Sequence, residues 1–136
     1  MKIDVIGLGY VGLVAAACLA EKGHNVTGYD TNTEKLKSIS KSDIPFYEPN
    51  LNELVRLTIQ KQTLKLKKIE NYGDLVSDAI IIAVGTPLSK MGTLDISQLQ
   101  VAIKWIISNY QNLPFIIIKS TVPPGTGEKL ISQFQE

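Results

Sequence analysis

Three glycines spaced as Gly7-x-Gly9-x-x-Gly12 stand directly after a run of strand formers, Lys2 to Ile6, and directly before an apolar stretch that suits a helix. In that context the pattern points to phosphate binding. Gly7 permits a tight turn, Gly9 lets backbone approach a pyrophosphate, and Gly12 lets helix and strand come close. Free N–H groups at the helix start then attract the anion. Asp30 closes the next expected strand, 18 residues beyond Gly12. A carboxylate about 20 residues on is the usual acceptor for the adenosine ribose hydroxyls. It repels a 2′-phosphate, so the pattern favours NAD over NADP. No Arg stands nearby, but Lys35 can swing toward the ribose, which leaves NADP disfavoured and still open. Asp30 also suits a helix cap, and the two roles are compatible.

Other reactive side chains fit structural roles better. Cys18 is expected on the apolar face of the first helix with Val14, Ala15 and Leu19, where a buried thiol is inert. His24 follows Gly23 at the end of that helix remote from the glycine turn, and reads as a loop residue rather than a general base. Lys61, Lys65, Lys67 and Lys68 form the one basic run, which suits a solvated sheet edge more than a nucleic-acid surface, since no aromatic platform interleaves with it. Across 136 residues, 14 Lys+Arg balance 13 Asp+Glu for a net charge of +1, too little to gather nucleic acid or anionic lipid at long range. One Cys excludes an internal disulfide framework and a multi-Cys zinc cluster, and fits the reducing cytoplasm. The length allows one domain of 1–136 and no second full one.

The elements that must position these residues alternate in type. The first strand, Lys2 to Ile6, precedes a helix over Val11 to Lys22, with one face expected at Val11, Val14, Ala15, Cys18 and Leu19. Gly23 stops that helix, and Asn25 to Tyr29 forms a second strand closing on Asp30. A helix is expected to Ser40, opened by Thr31 or Asn32, and another from a cap at Asn50 to about Lys61; between them, Pro45 and Pro49 forbid a helix. Leu64 to Lys67 alternates apolar and basic, as a half-exposed edge strand does. Ala79 to Val84 and Phe115 to Ile118 are unbroken apolar runs that suit parallel strands covered on both faces. Between them, a helix from Asp95 or Ser97 to about Tyr110 is expected to bury Leu99, Ala102, Ile103, Ile106 and Ile107, and a last helix begins at Gly125 and runs to Glu136. The apolar stretch from Val5 to Ala20 is 16 residues, short of the ~20 of a membrane span, and it does not fit a signal peptide. The alternation implies a doubly wound α/β fold, a Rossmann-type parallel sheet ordered 3-2-1-4-5 with helices on both faces and a ligand crevice between strands one and four at their carboxyl ends.

Four motifs in register, Gly7-Leu-Gly-Tyr-Val-Gly12, Ile44-Pro-Phe-Tyr-Glu-Pro49 with Leu51, Val84-Gly-Thr-Pro87 with Asp95, and Lys119-Ser-Thr-Val-Pro-Pro-Gly-Thr126, resemble the N-terminal, NAD-binding domain of the UDP-glucose 6-dehydrogenases. The resemblance covers nearly the whole chain. Sister enzymes acting on GDP-mannose or UDP-N-acetylmannosamine share the architecture. The resemblance implies an NAD-dependent, two-step oxidation of the sugar C6 alcohol to a carboxylate through an aldehyde, a thiohemiacetal and a thioester. It implies cofactor contacts from Gly7, Gly9, Tyr10, Gly12, Gly85, Pro87 and Ser120, a backbone contact from Val11 to the pyrophosphate, and Asp30 and Lys35 on the adenosine ribose. Thr86 would meet the cofactor after the fourth strand, and Thr121 would stand beside the nicotinamide and help position water. The family's nucleophilic Cys, with its Lys, Asn and Asp, lies in a second domain beyond a long dimerisation helix, which this chain lacks. Alone, the chain is therefore expected to bind NAD without completing catalysis and to meet a UDP-sugar only with a C-terminal domain. It would self-associate, or pair with a separately made C-terminal half, through apolar surface near Leu130, Ile131 and Phe134. A different reading, a stand-alone NAD-binding regulatory domain, gives no reason for hydroxyl-bearing turns at the nicotinamide end.

Overall fold

A computed structural model describes residues 1–89 and 92–134, with the side chains of 133 and 134 left aside. Five parallel strands form one sheet in the order β3-β2-β1-β4-β5. They are β1 (Lys2–Ile6), β2 (Asn25–Asp30), β3 (Leu64–Lys68), β4 (Ala79–Ile82) and β5 (Phe115–Ile118); the helices are α1 (Tyr10–Glu21), α2 (Thr33–Ser40), α3 (Leu51–Gln60), α4 (Ser97–Asn109) and α5 (Thr126–Phe134). The expected end of the last helix at Glu136 lies outside the described residues. Register fixes the crevice: Ile6 pairs with Tyr29 on one side and Ile82 on the other, so β1, β2 and β4 end together.

Side chains alternate across the sheet into two apolar layers. Ile3, Val5, Val26, Leu64 and Ile81 join the inner faces of α1, α2 and α3 in one layer, while Ile6, Ile80 and Ile82 join Leu99, Ile103, Ile106 and Leu130 in the other. Asn32 caps α2, its side chain accepting the Lys35 N–H at 3.0 Å. Asn50 sits in the cap position of α3 but in the left-handed region, at φ 65°, and makes no side-chain cap bond.

Several expected positions differ. The buried face of α1 is Gly12, Leu13, Ala16, Ala17 and Ala20, and Cys18 is exposed. Every residue from Val11 to Ala20 is apolar or glycine, so periodicity does not select a face there. The glycine turn does, because Gly12 must lie against Gly7 and the face follows from it. In α4 the buried row ends in Asn109 instead of Ile107, which is exposed. The Asn109 amide accepts the Tyr72 N–H at 2.7 Å and donates to the Trp105 carbonyl at 2.9 Å, so its burial is satisfied. In β5 only one face is covered: Ile116 and Ile118 join the α4 layer, while Phe115 and Ile117 are 72% and 40% exposed. The other layer's helices lie against β1, β2 and β3 and do not extend to this outer strand. Leu130 is buried, so of the three apolar residues expected to be presented by the last helix Ile131 alone is seen exposed, the Phe134 side chain lying outside the described residues.

Candidate functional site

The first turn is built by close backbone approach. Gly7 has φ 91°, and a Cβ on it would lie 2.7 Å from the Ala83 carbonyl oxygen. A Cβ on Gly12 would lie 1.8 Å from the Gly7 carbonyl oxygen and 3.2 Å from the Ala83 methyl. Side chains are excluded from both positions, so the helix start sits tight against the ends of β1 and β4. Gly9 differs, since a Cβ there meets nothing within 4 Å. Its openness faces the crevice that Gly9 lines.

That crevice, of about 560 Å3, opens at the carboxyl ends of β1, β2 and β4. Ile6, Gly7 and Gly9 line it from the first turn, Asp30, Thr31 and Lys35 from the end of β2, and Val84 and Gly85 from the end of β4. Gln98, Val101 and Trp105 of α4 make the far wall with Ile69. Val101, 66% exposed, thus presents apolar surface to the crevice. Sequence reading missed this wall. Val101 and Trp105 fall outside the buried row of α4, and their only trace in sequence is apolar residues one helical position off that row.

Asp30 is the charged centre of the site and is 5% exposed. Its carboxylate accepts the Leu8 N–H at 2.9 Å, the Asn32 N–H at 2.9 Å and the Lys35 ammonium at 2.7 Å. Burial alone would raise its pKa, but the Lys35 hydrogen bond, the two backbone N–H groups and the Lys35 charge outweigh it and hold the carboxyl below its ordinary range. Gly28 lies beneath Leu8: a Cβ there would lie 2.8 Å from a Leu8 methyl, so the bare position leaves room for the buried Leu8 side chain. Gly28 and Leu8 are not singled out by the sequence, because Gly28 lies outside the glycine pattern and Leu8 fills one of its unspecified positions.

The remaining candidates gather at the same sheet edge without lining this crevice. Tyr10, on the first turn of α1, packs edge-on against Phe46 with ring centroids 5.1 Å apart, and its hydroxyl donates to the Glu48 carboxylate. Val11 is exposed beside it. Thr86 and Pro87 follow β4. The Ser120 hydroxyl donates to the Val84 carbonyl at 2.7 Å, tying the turn after β5 to the turn after β4, and Thr121 next to it is exposed. Cys18 stands eight residues beyond Tyr10 along α1, about 12 Å from the helix start. Lys65, Lys67 and Lys68 lie on the outer strand β3.

Comparison with known proteins agrees with this geometry. A sequence profile described as "UDP-glucose/GDP-mannose dehydrogenase family, NAD binding domain" matches residues 1–136. The chain is 42% identical over 135 residues to the UDP-glucose 6-dehydrogenase TuaD of Bacillus subtilis, covering 99% of this chain and 29% of that protein. Among solved structures, the UDP-D-ManNAc dehydrogenase of Pyrococcus horikoshii superposes with a TM-score of 0.89 at 35% identity, over 98% of this chain and 31% of that one. The GDP-mannose dehydrogenase of Pseudomonas aeruginosa gives 0.84 at 32% identity, over 96% and 31%. The chain therefore spans less than a third of the length of these relatives.

Proposed function

The chain belongs to the UDP-glucose/GDP-mannose dehydrogenase family as an NAD-binding domain, and on that premise we propose that it holds NAD for the oxidation of a sugar nucleotide, with UDP-glucose as the substrate of the complete enzyme. The observation that carries the reading is the Asp30 carboxylate at the end of β2, bonded to the Leu8 N–H inside the glycine turn and facing a crevice wide enough for a nucleotide. Gly7, Gly9 and Gly12 shape the pyrophosphate turn, with the backbone of Tyr10 and Val11 at its helix start; Asp30 and Lys35 bind the adenosine ribose. Gly85, Thr86, Pro87, Ser120 and Thr121 border the nicotinamide half, where the Thr121 hydroxyl would orient water. The 42% identity to a UDP-glucose 6-dehydrogenase supports UDP-glucose as that substrate.

Nucleophilic chemistry belongs elsewhere. Cys18 is exposed on α1 about 12 Å along from the start of the helix, too far to reach a sugar beside the nicotinamide. The chain by itself accordingly binds NAD(H) and does not turn over UDP-glucose, and it takes a UDP-sugar only together with a C-terminal half. Among the described residues no helix is long and apolar enough to cross a membrane, and a single free Cys suits the cytoplasm. Calorimetry with NAD and NADH, with absorbance at the reduced-nicotinamide band in the presence of UDP-glucose, tests this: binding without turnover is expected. Turnover by this chain alone, or no binding of either cofactor form, overturns it.

A further inference from the structure

The segment between α2 and α3 carries one of the four motifs, Ile44 to Pro49, yet it lines no part of the crevice. It is built to hold a shape. Ser42 at φ 61° and Asn50 at φ 65° bracket it, and the Asn52 amide donates to the Ser42 carbonyl at 2.8 Å across its base. Pro45 and Pro49 fix φ at two further positions. Ile44 is buried in the layer that holds α1, and Phe46 packs against that layer half-buried. Two side chains of this loop reach the same residue. The Phe46 ring meets the Tyr10 ring edge-on at 5.1 Å, and the Glu48 carboxylate accepts the Tyr10 hydroxyl. That hydrogen bond and the Glu48 charge push the Tyr10 hydroxyl above its ordinary range, so it stays a donor at neutral pH.

Tyr10 is the first residue of α1. The hydrogen bonds of that helix begin with the Leu13 N–H on the Gly9 carbonyl at 2.9 Å, so the N–H groups of Tyr10, Val11 and Gly12 stand ahead of them with no intrahelical acceptor. Those are the donors on which a pyrophosphate would rest. The Tyr10 side chain stands beside them, 52% exposed, next to the bare Gly9 that opens to the crevice. A tyrosine ring free to turn would therefore screen the donors that its own backbone offers.

We propose that Glu48 is a positioning residue for dinucleotide binding: through the Tyr10 hydroxyl, and with Phe46 against the ring, it holds the Tyr10 side chain on the loop after α2 and keeps the start of α1 open to the pyrophosphate. The proposal rests on the reading of the crevice as an NAD site. Substitutions at the surface ordinarily move stability little, and Tyr10 lies half in solvent, so the effect of the pair falls on the direction of one ring. The motif at 44–49 thereby acquires a task in binding although no residue of it lines the crevice.

Calorimetry with NAD, and with adenosine, which carries no phosphate, tests this on the unaltered chain, Glu48→Ala, Glu48→Gln, Tyr10→Phe and the double variant Glu48→Ala/Tyr10→Phe. Glu48→Ala and Tyr10→Phe are each expected to weaken NAD about fivefold, and the double variant to weaken it no further, because both single changes break the same bond. Glu48→Gln keeps an oxygen that accepts from the Tyr10 hydroxyl, and its NAD affinity is expected to stay within about twofold of the unaltered chain. Adenosine affinity is expected to be the same in all five. Unchanged NAD affinity in Glu48→Ala overturns the inference, as do losses that add in the double variant. Tighter NAD binding by Glu48→Gln also overturns it, by showing that the carboxylate acts through its charge on the cofactor. A loss of adenosine affinity that matches the loss of NAD affinity overturns it as well, since the pair would then support the fold at large. Failure of the unaltered chain to bind NAD overturns the crevice reading and the inference with it.

Discussion

A Cβ on Gly12 would lie 1.8 Å from the Gly7 carbonyl oxygen, whereas one on Gly9 would meet nothing within 4 Å. The two glycines share a motif but answer to different partners. Gly12 serves the fold, because its neighbour is rigid backbone that has nowhere to move. Gly9 has φ −73°, which any residue adopts, so its lack of a side chain serves whatever enters the crevice. Gly12→Ala is accordingly expected to cost about 3 kcal/mol or more of stability, read as a lower urea midpoint. Gly9→Ala should keep its midpoint within about 0.5 kcal/mol of the parent while weakening NAD about tenfold, near 1.4 kcal/mol. Equal loss of stability in both variants would show that Gly9 is a folding residue. Asp30 was legible in the sequence for the same reason as the glycines, since a terminal acid after a second strand has a chemical task there. Its Leu8 partner was not, because a backbone N–H leaves no mark in residue type.

At the scale of elements, the strand order, the connections and the alternation of helix with strand were readable because unbroken apolar runs and turn residues carry them. The helix faces were readable only where polarity breaks them. In α1 nothing polar interrupts Val11 to Ala20, so the face was set by the turn, and Cys18 came out on the surface. In α4 a buried polar residue, Asn109, took the place of an apolar one because it bonds the segment between β3 and β4. A second polar link is wholly buried: the Tyr110 hydroxyl, just past α4, donates at 2.5 Å to the Asp4 carboxylate of β1. Burial pushes the Asp4 carboxyl up, against the lowering effect of Tyr110, Ser77, Thr27 and Lys67. A carboxyl whose pKa is higher in the folded chain favours folding while protonated, and its contribution falls away as pH rises through the folded value. Asp30 has the reverse sign: its contribution is present above the ordinary carboxylate range and is lost as pH falls through its lowered value. Asp4→Asn should therefore be more stable than the parent at pH 7, with the difference shrinking toward about pH 4. Urea unfolding at pH 4, 5.5 and 7 reads it, and a variant less stable at pH 7 would show that the ionised Asp4 is held favourably.

For the molecule as a whole, the two outer strands are unlike. The edge at β3 carries Lys65, Lys67 and Lys68, and charged side chains on an outer strand oppose pairing with another chain. The edge at β5 reads Phe115-Ile116-Ile117-Ile118, with no charge and with Phe115 and Ile117 open to solvent. A parallel run of this kind looked from sequence like a strand covered on both faces, and it would be so if another element lay over it; the apolar run records what β5 is suited to meet. Leu113, 58% exposed, continues the same apolar surface toward the start of the strand. With a net charge of +1 the chain has little long-range repulsion to keep copies apart. Concentration-dependent association through β5 is thus expected of the isolated chain, by strand addition at a free edge and by cover of Phe115 and Ile117. Sedimentation velocity across a wide concentration range should show dimers or larger species, and Ile117→Lys, which puts on β5 the charge that β3 already has, should return the chain to monomer without changing its affinity for NAD. A monomer at every concentration, or association that Ile117→Lys leaves intact, would mean that β5 is not the surface at which copies meet.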